Sequence, residues 1–287
     1  MTRRTRHKHP AGPRWQPPLI AVLAVLLLPA ALAAEKPVTG ADGEAGTADD
    51  LVTSARGFSR HRPSWVHPVS YSPDLVGHNT ETVYQISAKQ RLFGTEFYFG
   101  FTQKSFWQVF DKASSSPFRE TNYNPELFYR WAPERLDFHG LGLDLGVDHE
   151  SNGRSHPESR SWNRVFGALF LPRGQELYYL KAWWRVPERA KRTVDDPRGD
   201  DNPNISDFYG YAEFHYRRQF SRYKQMIHTM LRANPRTGRG AIMINWSIPA
   251  KNNYTFWTVQ LWQGYGESLI DHDRETTRIG IGMMLTR

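Results

Sequence analysis

From Glu81 to the end of the chain, apolar and polar residues alternate with a period of two, in segments of roughly ten residues separated by charged or Pro/Gly-rich stretches. Phe97, Phe99 and Phe101 share one face against Tyr98, Thr102 and Lys104. Leu141, Leu143, Leu145 and Val147 oppose Gly142, Asp144 and Gly146, and Trp257, Val259 and Leu261 oppose Phe256, Thr258 and Gln260. The clearest runs are 96–107, 141–147, 241–248, 255–261 and 278–285, and less tidy ones cover 82–92, 122–131, 162–171, 176–186, 209–220 and 224–232. A twelfth is placed near Trp65–Val69, and single-chain bacterial barrels have even strand numbers. No helical period runs long enough to compete. The pattern predicts an all-β fold, a transmembrane antiparallel β-barrel of about 12 strands. A soluble antiparallel sandwich also alternates. Segment lengths near the roughly 9–11 residues of a spanning strand, and Trp or Tyr near strand ends, favour the barrel.

Composition agrees. The chain holds 10 Trp, 13 Tyr and 16 Phe, yet its mean hydropathy is −0.63, too polar for a bundle of membrane helices and suited to a barrel with a wet interior. With no cysteine, disulfides and thiolate metal sites are excluded. The net charge of +8 is concentrated at the start: Arg3, Arg4, Arg6, Lys8 and Arg14 have no acidic counterpart before Glu35. Without those five, 32 basic residues face 29 acidic ones, a balance of +3 that offers nucleic acid no phosphate-binding field. The same five bases precede a ten-residue apolar run, Leu19–Leu28, then Pro29 and Ala31-Leu32-Ala33. Ten residues are too few to cross ~30 Å of hydrocarbon as a helix, so 1–34 reads as an export signal rather than an anchor. Residues 35–80 read as a flexible mature N-terminus that includes the first strand, and 81–287 as the barrel. The His- and Arg-rich stretch Phe58–His67 is assigned no role.

Chemistry concentrates in Gly146–Arg154 and Ser159–Arg164. Side chains two apart on a strand point the same way, so Leu145, Val147, His149 and Ser151 share the apolar, lipid-facing side. A hydroxyl and an imidazole there are costly unless they partner one another or do work. Ester hydrolysis needs a nucleophile, a base within reach and a third group that fixes the base. Ser151 and His149 supply the first two. Asn163, on the face of Val165, Gly167 and Leu169, supplies a third: its amide oxygen accepts the ring N–H and holds the tautomer, though it cannot neutralise an imidazolium as a carboxylate would.

His149-Glu150-Ser151-Asn152-Gly153-Arg154-Ser155, continuing to Ser159-Arg160-Ser161-Trp162-Asn163-Arg164, closely resembles the signature of the outer-membrane phospholipase A family. Tyr98–Trp107, Ser115–Tyr123 and Gly264–Asp271 resemble the family in the same order. The resemblance implies a barrel with a Ser-His-Asn triad on its outer wall, a phospholipid substrate in the bacterial outer membrane, calcium (Ca2+) as cofactor and a homodimer as the active form. It implies Ser151 as nucleophile, His149 as general base, Asn163 as orienter and Gly153 as shaper of the oxyanion loop. It places calcium on the backbone carbonyls of Arg154 and Ser159 with the Ser115 hydroxyl of a partner subunit, and a second calcium position at Asp201. From the residues alone, Asp200 and Asp201 read as a solvated turn in preference to a metal site. Gln103 follows the three outward phenylalanines, where an unpaired amide costs about as much as a lost hydrogen bond in hydrocarbon; a partner barrel or headgroup water would satisfy it. The competing expectations are a non-catalytic porin or structural barrel and a lipid A deacylase, whose shorter chain carries an acidic third residue. A soluble hydrolase is opposed by the lack of a Gly-x-Ser-x-Gly elbow.

Overall fold

The structure is a computed structural model and describes residues 58–75, 79–132, 141–193, 196, 199–220, 223–251 and 255–286. The expected signal at 1–34 and the segment 35–57 lie outside the described residues. Among the described residues there are thirteen strands: β1 (Phe58–Arg60), β2 (Ser64–Tyr71), β3 (Thr80–Arg91), β4 (Phe97–Trp107), β5 (Phe118–Trp131), β6 (Gly142–Ser151), β7 (Ser161–Arg173), β8 (Glu176–Arg185), β9 (Ala212–Phe220), β10 (Gln225–Asn234), β11 (Arg239–Pro249), β12 (Phe256–Tyr265) and β13 (Glu275–Thr286). Among the described residues one helix, the five-residue α1 (Ile205–Tyr209), precedes β9. Each strand from β2 to β13 pairs antiparallel with its sequence neighbour, and β13 returns to β2, closing a 12-stranded barrel. Closure leaves no sheet edge, which is what a sheet in hydrocarbon requires. No helix among the described residues is long and apolar enough to cross a membrane.

The alternation maps onto the two walls. Leu145 (51% exposed), Val147 (50%), Trp184 (59%) and Ile281 (55%) face outward, whereas Asp144, Asp148, Arg164, Lys181 and Arg278 are buried in the lumen. The barrel starts at β2, which covers the stretch Trp65–Val69 where the twelfth strand is placed from sequence, within the segment 35–80.

β1 is the element that the alternation did not predict. It continues β2 along the same edge of β3, with Arg60 opposite Ala88 and Trp65 opposite Gln85. The chain advances five residues there (60 to 65) while β3 retreats three (88 to 85), which leaves two extra residues on the edge strand. Such a bulge re-aims side chains, and Pro63, which lacks an N–H, sits where pairing is interrupted. Arg62 reaches into the lumen and donates to both Glu126 oxygens at 2.9 Å, and His61 makes a short hydrogen bond to the same carboxylate. Within the His- and Arg-rich stretch, His61 and Arg62 thus turn into the lumen between two wall segments.

The lumen is a lattice of ion pairs. Lys181 bridges Glu126 (2.7 Å) and Asp148 (2.8 Å); Arg164 holds Asp148 (2.5 Å) and Glu150 (3.2 Å); Arg130 grips Asp144 with two 2.7 Å bonds. Buried charges persist only when paired like this. The remaining cavity is about 250 Å³, lined by residues including His61, Lys104, Arg217 and Glu267. Above it α1 tucks Ile205, Phe208 and Tyr209 against Trp162, Trp183 and Leu269. The predicted strand from 209 accordingly starts at Ala212, after Gly210 (φ +65°), where an added Cβ would lie 2.8 Å from the Ala233 carbonyl.

Candidate active site on the outer wall

β6 and β7 set the site through their register: His149 pairs with Asn163 and Ser151 with Ser161. In an antiparallel pair, directly opposed side chains leave the same face. His149 Nδ1 and Asn163 Oδ1 lie 2.9 Å apart, a hydrogen bond in which the ring N–H donates to the amide oxygen. That fixes Nε2 as the basic nitrogen. Ser151 follows His149 by two residues on β6, about 7 Å along the strand. No Ser151–His149 hydrogen bond joins the pair among the described residues, where the His149 ring contacts Asn163.

The inner faces of the same strands are closely tied by side-chain contacts. Trp162, fully buried beside Asn163, donates its Nε1 proton to Glu150 at 3.0 Å and carries the Arg164 guanidinium 4.1 Å above its ring. Trp162, next in the chain to Asn163, thus anchors β7 from the lumenal side.

Asn152, the residue after Ser151, was not singled out from the sequence, and it braces the loop between β6 and β7. Its Oδ1 accepts from the Arg160 N–H (2.9 Å) and, more weakly, the Arg154 N–H (3.3 Å), while its Nδ2 donates to the Glu158 carbonyl (2.8 Å). Gly153 has φ +65°, a left-handed conformation that glycine adopts without penalty. Asn202, almost fully buried, accepts from the Ser161 N–H at 3.1 Å and so docks the long β8–β9 loop onto the start of β7.

The candidate calcium residues divide into two groups. The Arg154 and Ser159 carbonyls belong to the loop that Asn152 braces, and backbone oxygens are the hard donors that calcium prefers. They fit such an ion, although the Ser159 carbonyl presently accepts from the Arg160 guanidinium at 2.7 Å. Ser115, with φ +61°, lies in the β4–β5 loop on the same rim. Asp201 fits less well. Its Oδ1 is held by Lys191 Nζ at 2.7 Å and its Oδ2 by the Ser159 hydroxyl at 2.6 Å, so the chain's own ammonium neutralises it. Gln103, half-buried on the outer wall, donates to Ser105 Oγ at 3.1 Å, which also accepts from Thr121. Among the described residues no trio of His, Asp or Glu is grouped to hold a metal.

Residues 55–285 match the family model described as Phospholipase A1. The chain belongs to that family. The putative phospholipase A1 of Neisseria meningitidis serogroup B is 34% identical over 259 residues, covering 79% of this chain and 65% of that protein. Escherichia coli K12 phospholipase A1 is 38% identical over 188 residues, 64% of this chain and 60% of that one. The chain thus spans slightly less than two thirds of the length of these relatives. Among solved structures, the barrel is similar to the outer membrane phospholipase A of Escherichia coli (TM-score 0.71, 30% identity, 83% of this chain and 96% of that one). It is also similar to the Salmonella typhi outer membrane phospholipase dimer with bound calcium (TM-score 0.72, 28% identity, 84% and 99%). With its closed wall and exposed apolar band, this member of the phospholipase A1 family is an outer-membrane β-barrel.

Proposed function

We propose that the chain is a phospholipase A that hydrolyses acyl esters of phospholipids and lysophospholipids in the outer membrane, with Ser151, His149 and Asn163 as its triad. The observation that carries this reading is the 2.9 Å His149–Asn163 hydrogen bond on the lipid-facing wall, with Ser151 on the same strand and face. His149 Nε2 takes the Ser151 hydroxyl proton as Oγ attacks the ester carbonyl carbon. The imidazolium then returns that proton to the leaving alcohol oxygen, and an acyl-Ser151 ester remains. Water, deprotonated by the same nitrogen, attacks the acyl carbon; the C–Oγ bond breaks, the imidazolium returns the proton to Ser151 Oγ, and a fatty acid is freed. Asn163 holds the ring in the tautomer that both half-reactions need.

The calcium reading is carried by the loop carbonyls of Arg154 and Ser159 together with the partner subunit's Ser115, in a homodimer that Gln103 helps to join. A calcium ion there supplies positive charge for the developing oxyanion, and Gly153 lets the loop approach it. Asp201 takes up an ion only when Lys191 leaves it. A porin reading is opposed by the lumen, whose charges are interlocked around a small cavity. The test is fatty-acid release from mixed micelles by the refolded protein, with calcium or a chelator, for wild type and Ser151→Ala. Release that needs calcium and vanishes in the variant is expected. Release that persists in Ser151→Ala removes Ser151 from the chemistry, and indifference to chelation removes calcium.

A further inference from the structure

The amide of Asn163 has a second end. Its Nδ2 donates to Glu188 Oε1 at 3.4 Å, a long hydrogen bond. Glu188 lies in the β8–β9 loop, yet the backbone on both sides of it is fixed. Before it, the Val186 N–H donates to the Asn163 carbonyl at 2.8 Å, which extends the β7–β8 pairing past the end of β8. After it, the Arg189 carbonyl accepts the Asp200 N–H at 2.9 Å. Gly199 is seated against Lys191 so closely that an added Cβ would lie 2.3 Å from that side chain. A loop carboxylate held at both flanks beside a triad member is not a freely solvated one.

We infer that Glu188 is a positioning residue that extends the triad to a chain of four, Ser151–His149–Asn163–Glu188, and lends the amide the negative charge it lacks. The inference rests on the phospholipase reading. A carboxylate behind the NH2 group polarises the amide, so that Oδ1 becomes a stronger acceptor for the imidazolium that forms during catalysis. Other charges face Glu188: Asp200 and Asp201 within the loop and Arg185 at the end of β8. Arg185 pairs with Asp200 at 2.7 Å and Lys191 with Asp201 at 2.7 Å, which leaves Glu188 as the carboxylate turned to the triad. Its carboxyl is held above the usual carboxylate range, first by burial and next by Asp200. On acidification its charge is therefore lost at a higher pH than that of an ordinary glutamate, and the support to Asn163 goes with it.

The test uses the refolded full chain in mixed micelles, with folding checked by heat-modifiable gel mobility. Glu188→Gln is expected to lower kcat about tenfold with KM unchanged, and Glu188→Asp to recover much of the loss. The acid limb of log kcat/KM, steeper than one proton in wild type, is expected to fall to one proton in Glu188→Gln. An unchanged kcat, a loss confined to KM, or a loss with unaltered steepness overturns the inference. The His149 Nδ1 proton resonance gives a readout independent of turnover: it moves upfield in Glu188→Gln as its acceptor weakens, and an unmoved resonance overturns the inference. A wild type no more active than Ser151→Ala defeats the phospholipase reading instead, and the resonance still judges Glu188.

Discussion

On β6, Asp144 and Asp148 point into the lumen and each meets a cation within 2.8 Å, whereas His149, on the opposite face of the same strand, has one neutral partner and Ser151 stands beyond it. The two faces differ in what surrounds them. Inward carboxylates are shut away from water by the far wall, so each is stable only with a partner in place. Outward polar groups stand at the end of an apolar band that includes Leu145 and Val147, near the rim where the long β6–β7 loop begins. There they can stay underpartnered, and in the proposed reading they are open to a substrate arriving through the lipid. In that reading one strand carries a structural chemistry inside and a reactive one outside.

Four substitutions on this strand would break or sharpen that contrast. Ser151→Ala should leave the barrel folded and reduce fatty-acid release by about 10⁴-fold or more, equivalent to about 5.5 kcal/mol in the barrier; gel mobility and turnover measured on one sample check both halves. Asp148→Ala should do the reverse, with a modest effect on chemistry and a stability loss of about 3–5 kcal/mol, because Arg164 and Lys181 each lose a buried counter-ion. Urea unfolding in micelles reads it, and an unshifted midpoint would mean that the lumenal pairs are dispensable. Gly146→Ala should cost about 1–3 kcal/mol in the same assay, since the new methyl would lie 2.5 Å from the Leu127 carbonyl oxygen and 2.6 Å from Phe128 Cβ. Val147→Ala, one residue on and facing lipid at 50% exposure, should cost less than about 1 kcal/mol, because the side chain trades contact with hydrocarbon rather than with packed protein. Equal losses for these last two would erase the distinction between the walls.

The sequence by itself determined the strands and the direction of their side chains. Period-two alternation follows from strand stereochemistry within a few residues, so twelve segments and the common face of His149, Ser151 and Asn163 could be read without knowing what each strand lies beside. Only the tertiary structure decided the partners. Glu126 meets Arg62 and Lys181 across 64 and 55 residues, and Arg119 meets Asp271 across 152, because closure of the barrel sets which rows face one another. The inward bulge at His61–Pro63, the helix at Ile205–Tyr209 and the seating of Glu188 and Lys191 beside the site arise the same way. No local period encodes them; each is fixed by contacts between segments far apart in the chain, where a charge or a backbone group finds a mate only after the wall has closed.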